Sequence, residues 1–184
     1  MKRFFDIAMS VTALILLSPL LALISLAIFL DDGAPVIFRQ KRVGKNNALF
    51  EILKFRTMRR DTPSAASRDM KREDLFTRSG RLLRAASLDE LPQLWNIFTG
   101  TMSFVGPRPL IPEESKIREL RARAGIYKAL PGLTGWAQVN GRDTLGDEEK
   151  VRLDAEYLER QGFWLDLRIL IKTALQVIVG KDVE

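Results

Sequence analysis

Two adjacent carboxylates, Asp89 and Glu90, lie shortly after a basic residue, Arg84. Neighbouring carboxylates can bind Mg²⁺ and attack a phosphorus atom, and an arginine side chain matches the geometry of phosphate oxygens. The start of a helix is also a favourable place for a phosphate group, because its first backbone N–H groups have no partner within the helix. The types and spacing of these residues therefore permit phosphate chemistry centred on Asp89.

A structural role for the same residues is an alternative. Ser87 and Glu90 have the spacing of a capping box, in which a serine at the N-cap is followed three residues later by a glutamate. Pro92 instead favours Asp89 as the N-cap, because proline lacks an N–H group and is tolerated in the first turn of a helix. Residue types alone favour capping over catalysis and leave both roles open.

The composition narrows the chemistry further. The 184 residues, enough for one domain, include neither cysteine nor histidine. Disulfides, thiolate nucleophiles, imidazole acid–base catalysis and zinc sites that need either residue are therefore excluded. Carboxylates remain as acid, base and metal-binding candidates, and they favour a hard cation such as Mg²⁺. The formal net charge of +6 predicts an anionic partner: nucleic acid, an anionic membrane or a phosphorylated substrate.

The residues from Ile7 to Leu30 carry no charge. A secretory signal peptide is disfavoured, because it needs a shorter apolar core and a cleavage site of small residues. The segment is long enough to span a bilayer, and a spanning helix kinked at Pro19 is one remaining interpretation. The other is a re-entrant membrane helix hairpin broken at Ser18 and Pro19, because each arm, about 18 Å long, is too short to cross. Basic residues on both sides favour the hairpin, since both flanks then lie in the cytoplasm. These residues are Lys2, Arg3, Arg39, Lys41, Arg42 and Lys45.

The remaining pattern predicts a helix-rich α+β fold. Two strands, residues 36–40 and 48–56, are predicted around a turn at residues 44–47. A basic amphipathic helix at residues 75–86 lies either at the membrane interface or on an ordinary surface, and a loop at residues 61–74 precedes it. Further helices are predicted over residues 87–98, 113–130, 147–161 and 165–179, with rigid coil at 106–109 and a break at 131–135.

Three long motifs resemble the bacterial sugar transferase family, the monotopic phosphoglycosyl transferases. They are LRAASLDELPQLWN at residues 83–96, MSFVGPRPL at 102–110 and PGLTGWAQVNGR at 131–142. The segment KFRTM at residues 54–58 and the Ser18-Pro19 pair also look like that family, and the resemblance covers nearly the whole chain in order. It implies a single catalytic unit without the additional N-terminal membrane domain of larger members.

The resemblance implies a two-step reaction. Asp89 would attack the β-phosphate of a UDP-sugar, releasing UMP and leaving a phosphosugar on the carboxylate, while Mg²⁺ bridges the diphosphate and the Asp89–Glu90 pair. Polyprenyl phosphate, such as undecaprenyl phosphate, would then accept the phosphosugar. This transfer would begin the assembly of a membrane glycoconjugate such as a capsule, O-antigen or exopolysaccharide. Glu90 would orient the metal ion or activate the acceptor.

Basic residues are expected to neutralise the phosphates, because phosphoryl transfer depends on charge stabilisation more than on proton transfer. Arg84 is predicted to bind the phosphate close to the nucleophile. Arg108, held between two prolines, is predicted to bind substrate, with a salt-bridged loop arginine as the alternative. Arg142, which follows a tight turn, is predicted at the nucleotide end. The family motif adds Lys54 and Arg56 as candidate phosphate- or nucleotide-binding residues.

The resemblance also implies a division of the chain and a location. Residues 1–32 would form the re-entrant membrane helix, and residues 33–184 a cytoplasmic, membrane-associated catalytic domain with interfacial amphipathic helices. The site would lie on the cytoplasmic face of the bacterial inner membrane, where a soluble UDP-sugar meets an acceptor in the lipid bilayer. A homodimer is one possible assembly. The sugar is either an N-acetylated amino sugar or a hexose such as glucose or galactose.

Two rival classes are disfavoured. A nucleic-acid-binding protein has no use for a long uncharged N-terminal segment and needs basic residues interleaved with exposed aromatic ones. We therefore expect no nucleic-acid partner. A membrane scaffold without catalysis explains the apolar segment and the charge but not the Asp89–Glu90 pair beside Arg84.

Overall fold

A computed structural model describes residues 2–60, 62, 75–141 and 144–179. Its architecture is helix-rich α+β, as predicted, and the predicted loop at residues 61–74 lies almost wholly outside the described residues. The helices are α1 (Lys2–Asp32), α2 (Arg78–Ala85), α3 (Gln93–Thr99), α4 (Ser115–Arg123), α5 (Trp136–Val139), α6 (Asp147–Arg160) and α7 (Phe163–Val179). The strands are β1 (Ile37–Val43), β2 (Leu49–Phe55), β3 (Ser103–Val105) and β4 (Gly132–Thr134).

Helix α1 runs through the proline that was expected to break it. Pro19 cannot donate a hydrogen bond to the carbonyl group of Ile15, four residues earlier. The hydroxyl group of Ser18 donates to that carbonyl at 2.8 Å instead, so the acceptor keeps a partner. The two helical arms predicted on either side of Pro19 are therefore one continuous helix. The re-entrant path through the membrane stays a prediction.

Both ends of α1 contact the rest of the protein. At the N-terminal end, the ammonium group of Lys2 forms an ion pair with the carboxylate of Asp166. At the C-terminal end, Asp31 accepts hydrogen bonds from the backbone N–H and the hydroxyl group of Ser79, each at 2.8 Å. A straight helix of this length would span about 46 Å. Helix α1 is thus held to one domain near both of its ends.

One face of α1 packs on that domain, and the other large apolar side chains remain exposed. The packed residues include Ala13, Leu14, Leu17, Ile24 and Ile28, which contact two buried clusters around β2, α2 and α3. The exposed ones include Phe4, Ile15, Leu16, Leu23, Leu26, Phe29 and Leu30. Only 11% of its most apolar 18-residue stretch is buried, so α1 is unlike the core helix of a water-soluble protein. It is long and apolar enough to enter a membrane.

Strands β1 and β2 form the predicted antiparallel hairpin, in a register that pairs Ile37 with Phe55 and Val43 with Leu49. Asn46 and Asn47 in the turn have positive φ angles, which asparagine tolerates better than most residues. Strand β1 extends three residues beyond its predicted end. Arg42 lies in this extension, on the same strand as Gln40, and both residues line the cavity described below.

A parallel pair of short strands, β3 and β4, was not predicted. Ser103 pairs with Gly132, and Val105 pairs with Thr134. The two backbones approach so closely that a Cβ atom on Gly132 would lie 2.1 Å from the backbone nitrogen of Gly106. Only glycine fits at this contact. The pairing therefore joins the second and third sequence motifs into one structural unit.

The helix boundaries differ from the predicted ones where a local cap intervenes. Helix α2 begins three residues late, because the side chain of Thr77 caps it by accepting a hydrogen bond from the N–H of Gly80 at 2.9 Å. Helix α4 ends seven residues early, because Gly125 has a φ of 69° and turns the chain. Helices α6 and α7 agree with the sequence within two residues. Leu82 is exposed, although its neighbour Leu83 is buried.

We expect the substitution Gly132→Ala to destabilise the protein by about 3 kcal/mol or more, because the added methyl group meets backbone rather than a movable side chain. In detergent, the midpoint of thermal unfolding should fall by roughly 6–12 °C. Gly146→Ala is the matched control, since among the described residues no atom beyond its chain neighbours lies within 4 Å of its added Cβ. Equal midpoints for the two variants would contradict the close backbone contact.

Candidate active site

Asp89 and Glu90 lie in a short 3₁₀ turn, Leu88–Glu90, between α2 and α3. Ser87, which precedes the turn, has a left-handed backbone with a φ of 53°, and its side chain makes no capping hydrogen bond. Helix α3 begins at Gln93, after Pro92, so neither Ser87 nor Asp89 is its N-cap. Both capping predictions are therefore wrong. Pro92 directly precedes α3, where its missing N–H group costs no helical hydrogen bond.

A cavity of about 310 Å³ collects most of the predicted site residues. Asp89 and Glu90 line it together with the predicted phosphate-binding residues Lys54, Arg56, Arg84 and Arg108. Residues from the hairpin, the 3₁₀ turn and the 106–109 loop thus converge on one space. Arg142 lies outside the described residues, so its predicted role at the nucleotide end stays a prediction.

Arg42 is a cavity residue that the sequence analysis counted only as a flanking charge. Its guanidinium donates to the side-chain oxygen of Gln40 at 2.6 Å and to the carbonyl group of Pro109 at 3.2 Å. Burial and the nearby charge of Arg108 lower the pKa of Arg42. The signal in the sequence is the alternation of Phe38, Gln40 and Arg42 along β1, which places all three on one face of the strand.

The charges around Asp89 have opposing effects on its ionisation. Burial raises the pKa of Asp89, and the carboxylate of Glu90 raises it further, whereas the positive charges of Lys54 and Arg84 lower it. The ammonium group of Lys54 also forms a 2.6 Å ion pair with Glu90. Since five basic residues and two carboxylates line the cavity among the described residues, an anionic ligand suits it.

Arg56 has a second role that the sequence did not reveal. Its guanidinium donates to the backbone carbonyl groups of Asp32 and Gly33, at 2.8 and 2.7 Å, and contacts the carboxylate of Asp32 at 3.1 Å. The residue is only 7% exposed. Arg56 therefore anchors the C-terminal end of α1 while it lines the cavity. Arg84, by contrast, is exposed, with its guanidinium 4.9 Å from the ring centre of Phe76.

A buried ion pair supports the loop that carries Arg108. Arg121 and Asp154 lie 2.6 Å apart with almost no exposure, and Arg121 also donates to the carbonyl oxygen of Arg108 at 2.6 Å. Arg121 therefore supports the Arg108 loop from behind, through the backbone carbonyl group of Arg108. The position of Arg121 on α4 is the sequence signal for its burial. Arg121 follows the apolar Ile117 by four residues and so lies on the same face of the helix.

The carboxylates of the site suit Mg²⁺ only together with a substrate. No group of three or more acidic side chains that could hold a metal ion occurs in residues 2–60, 62, 75–141 and 144–179. Mg²⁺ is commonly held by one or two carboxylates, with the remaining ligands from phosphates and water. Asp89 and Glu90 fit that pattern. Because Glu90 is paired with Lys54, Asp89 is the better candidate ligand.

A carboxylate pair in a cation-lined cavity suits an anionic ligand, and the neighbouring helix α1 is long and apolar enough to enter a membrane. The comparison with known proteins is more specific. The model of the bacterial sugar transferase family matches residues 1–180. The chain belongs to this family, and it is a transferase.

Three relatives show the extent of the similarity. The chain is 44% identical to the UDP-glucose:undecaprenyl-phosphate glucose-1-phosphate transferase of Caulobacter vibrioides, over 94% of the chain and 67% of that protein. It is 41% identical to the undecaprenyl-phosphate glucose phosphotransferase of Komagataeibacter xylinus, over 98% of the chain but 36% of the relative. EpsL of Bacillus subtilis, named as an uncharacterized sugar transferase, is 38% identical over 100% of the chain and 90% of its own length.

The buried ion pair predicts a pH dependence of stability. Burial raises the pKa of Asp154 to about 6, although Arg121 opposes the rise. Because this pKa is above the unfolded value, the folded state binds more protons between about pH 4 and 6, and stability falls as the pH rises through this window. Thermal midpoints of the wild type should fall more steeply across it than those of Asp154→Asn. Glu159→Gln, an exposed change on the same helix, should keep the wild-type slope, and equal slopes for all three proteins would contradict the burial of an ionisable Asp154.

Proposed function

We propose that this protein moves a sugar-1-phosphate from a UDP-sugar to polyprenyl phosphate and releases UMP. The observation that carries the proposal is the cavity in which Asp89 and Glu90 meet five basic side chains. Basic side chains neutralise phosphate oxygens, and a carboxylate can act as a nucleophile toward phosphorus. The names of the Caulobacter and Komagataeibacter relatives support undecaprenyl phosphate as the acceptor and glucose as the first sugar to test.

In the first step the carboxylate of Asp89 attacks the β-phosphorus of the UDP-sugar. A bond forms between a carboxylate oxygen and phosphorus, and the bond from phosphorus to the bridging oxygen breaks. UMP leaves with that oxygen and the bonding electron pair. The attack needs the ionised carboxylate, which the charges of Lys54 and Arg84 favour against the effect of burial.

In the second step an oxygen of the polyprenyl phosphate attacks the same phosphorus. The bond to Asp89 breaks, the carboxylate is restored, and the phosphosugar remains on the lipid as a diphosphate. Neither step changes the number of bound protons, so the reaction needs no histidine. A covalent intermediate of this kind gives ping-pong kinetics.

The remaining residues of the cavity stabilise charge. Arg42, Arg84 and Arg108 are placed to bind the oxygens of the substrate phosphates. Lys54 holds Glu90 through their ion pair and so fixes the second carboxylate beside the first. Mg²⁺, held by Asp89 and Glu90, would neutralise further charge on the diphosphate.

The contacts at both ends of α1 support a re-entrant position in the membrane. A spanning helix would place one end across the bilayer, about 30 Å from the other. Lys2 and Asp31 instead both contact the domain that carries the cavity. Basic residues flank the helix on both sides, which favours the cytoplasm for both ends. The site then lies at the cytoplasmic face of the inner membrane, at the height of the acceptor phosphate.

The first experiment measures UMP release from a panel of UDP-sugars, with purified protein in detergent, polyprenyl phosphate and Mg²⁺. Wild type should release UMP from at least one donor, and Asp89→Asn should lower the rate by at least about 1,000-fold, because an amide cannot form the covalent intermediate. Glu119→Gln, which changes an exposed carboxylate on α4, is the matched control and should keep the wild-type rate.

Two further measurements test the covalent intermediate and the source of the UMP. With a donor labelled in the sugar and no acceptor, wild type should retain label on the protein and Asp89→Asn should not. Wild-type rates in Asp89→Asn would remove Asp89 as the nucleophile. Equal rates with and without a UDP-sugar would show that the UMP has another source.

Labelling of single cysteines tests the position of α1, since the chain has no cysteine of its own. We expect a cysteine inserted after Met1 and one at Lys45 to react with a membrane-impermeant reagent only from the cytoplasmic side, in inverted vesicles. Leu16→Cys, on the exposed apolar face of α1, should resist the reagent from both sides. Reaction of the two flanks from opposite sides would show a spanning helix.

A further inference from the structure

We propose that a groove between α3 and α7 binds the first isoprene units of the polyprenyl acceptor. The identity of the occupant rests on the proposed function, and the position of the groove rests on the structure alone. The groove is a second cavity of about 300 Å³. Ser87, Glu90 and Arg108 line both this groove and the catalytic cavity, so the two spaces meet at these residues.

The walls of the groove are mainly apolar. On one side α7 contributes Leu170, Ala174 and Val177, whose spacing of four and three residues places them on one face of the helix. On the other side lie Leu91, Leu94 and Leu133. Such walls suit a hydrocarbon chain and offer little to a nucleotide or a sugar.

Three polar side chains of the groove, those of Thr134, Thr173 and Gln176, bond to the protein itself. The hydroxyl groups of Thr134 and Thr173 are 2.7 Å apart, which ties α7 to β4. The amide group of Gln176 donates to the carbonyl group of Val139 at 3.3 Å. These polar groups therefore hold α7 in place, and the apolar side chains determine which ligand the groove can bind.

The apolar path continues beyond the groove. Leu170 also lines a third cavity, of about 510 Å³, which lies between the N-terminal parts of α7 and α1 and includes Phe5, Phe163 and Leu167. Next to it, Trp164 is 78% exposed, which is typical of a side chain at a membrane surface. Apolar side chains therefore extend along α7 from the groove toward this exposed tryptophan.

The positive charge where the cavity meets the groove fits the phosphate group of the same lipid. Arg108 stands where the polar cavity meets the apolar groove, so a phosphate there would contact a guanidinium while its tail enters the groove. A phosphate in this position approaches Asp89 from the side of Glu90. One lipid phosphate therefore matches both the charge and the apolar surface, which a free phosphate or a free hydrocarbon does not.

The test compares two phenylalanine substitutions on adjacent residues of α7. Ala174→Phe fills the groove from an exposed position, whereas Leu175→Phe places the same side chain outside it. We expect Ala174→Phe to raise the KM for a long-chain polyprenyl phosphate by about tenfold, equivalent to about 1.4 kcal/mol. Leu175→Phe should leave this KM unchanged.

The two steps of the reaction separate this inference from the proposed function. Labelling of the protein by a UDP-sugar without acceptor, which does not involve the groove, should be the same in Ala174→Phe as in wild type. With a phosphate that carries only one or two isoprene units, the effect of Ala174→Phe should shrink. An unchanged KM for the long-chain acceptor in Ala174→Phe would overturn the groove assignment while leaving the proposed function intact. Absence of UMP release from wild type with every donor would overturn the proposed function instead.

A photoreactive polyprenyl phosphate provides a readout that does not depend on turnover. With the reactive group on the first isoprene units, crosslinks should map to residues 170–177 of α7 and should decrease in Ala174→Phe. Competition by unmodified polyprenyl phosphate, but not by inorganic phosphate, would show that the tail is recognised. Crosslinks confined to other surfaces, such as the exposed face of α1, would overturn the proposal.

Discussion

The guanidinium group of Arg56 joins the apolar N-terminal helix to the catalytic cavity, and the placement of the site depends on this contact. Burying an arginine is costly unless its charge is paired. One terminal nitrogen of Arg56 donates to the carbonyl groups of Asp32 and Gly33 and lies 3.1 Å from the carboxylate of Asp32, whereas Nε and Nη1 have no partner among the described residues. A shift of this helix end along the domain would expose the guanidinium charge to solvent or leave it buried without a partner. The distance from the apolar surface of α1 to Asp89 is therefore fixed by hydrogen bonds as well as by packing.

The proposed reaction would not need a histidine. The residues of the cavity would not have to exchange protons; they would have to keep one carboxylate ionised and neutralise the phosphate oxygens. Lys54 contributes to the first task, because its charge lowers the pKa of Asp89, and its ion pair also orders Glu90. The loop of Arg108 is kept in place from behind by Arg121 and from the side by Arg42, through backbone carbonyl groups. Rigid support of this kind lowers the cost of presenting a charged side chain to a ligand.

Much of this arrangement could be predicted from the sequence, because its signals are local. Alternation and a turn rich in glycine and asparagine predicted the hairpin, and helical periodicity predicted α6 and α7. The motif residues Asp89, Glu90, Arg84, Arg108 and Lys54 were predicted together and lie around one cavity.

Other features depend on contacts between distant segments, and the sequence did not reveal them. Strands β3 and β4 have three residues each and form only because two glycines allow their backbones to touch. The capping predictions failed at Ser87 because a left-handed residue and a 3₁₀ turn precede Pro92, a combination that residue preferences do not encode. The role of Arg121 required knowledge of which helix packs against which.

The attachment of α1 at both ends also affects how the protein responds to its membrane. A helix that spans a bilayer must match the full thickness of the hydrocarbon layer, and a mismatch costs free energy for every ångström. In the proposed re-entrant position, α1 would sample a single leaflet and would have no opposite surface to reach. Bilayer thickness, which sorts many membrane proteins among compartments, would then have little influence on this one, and the packing of headgroups around α1 would matter more.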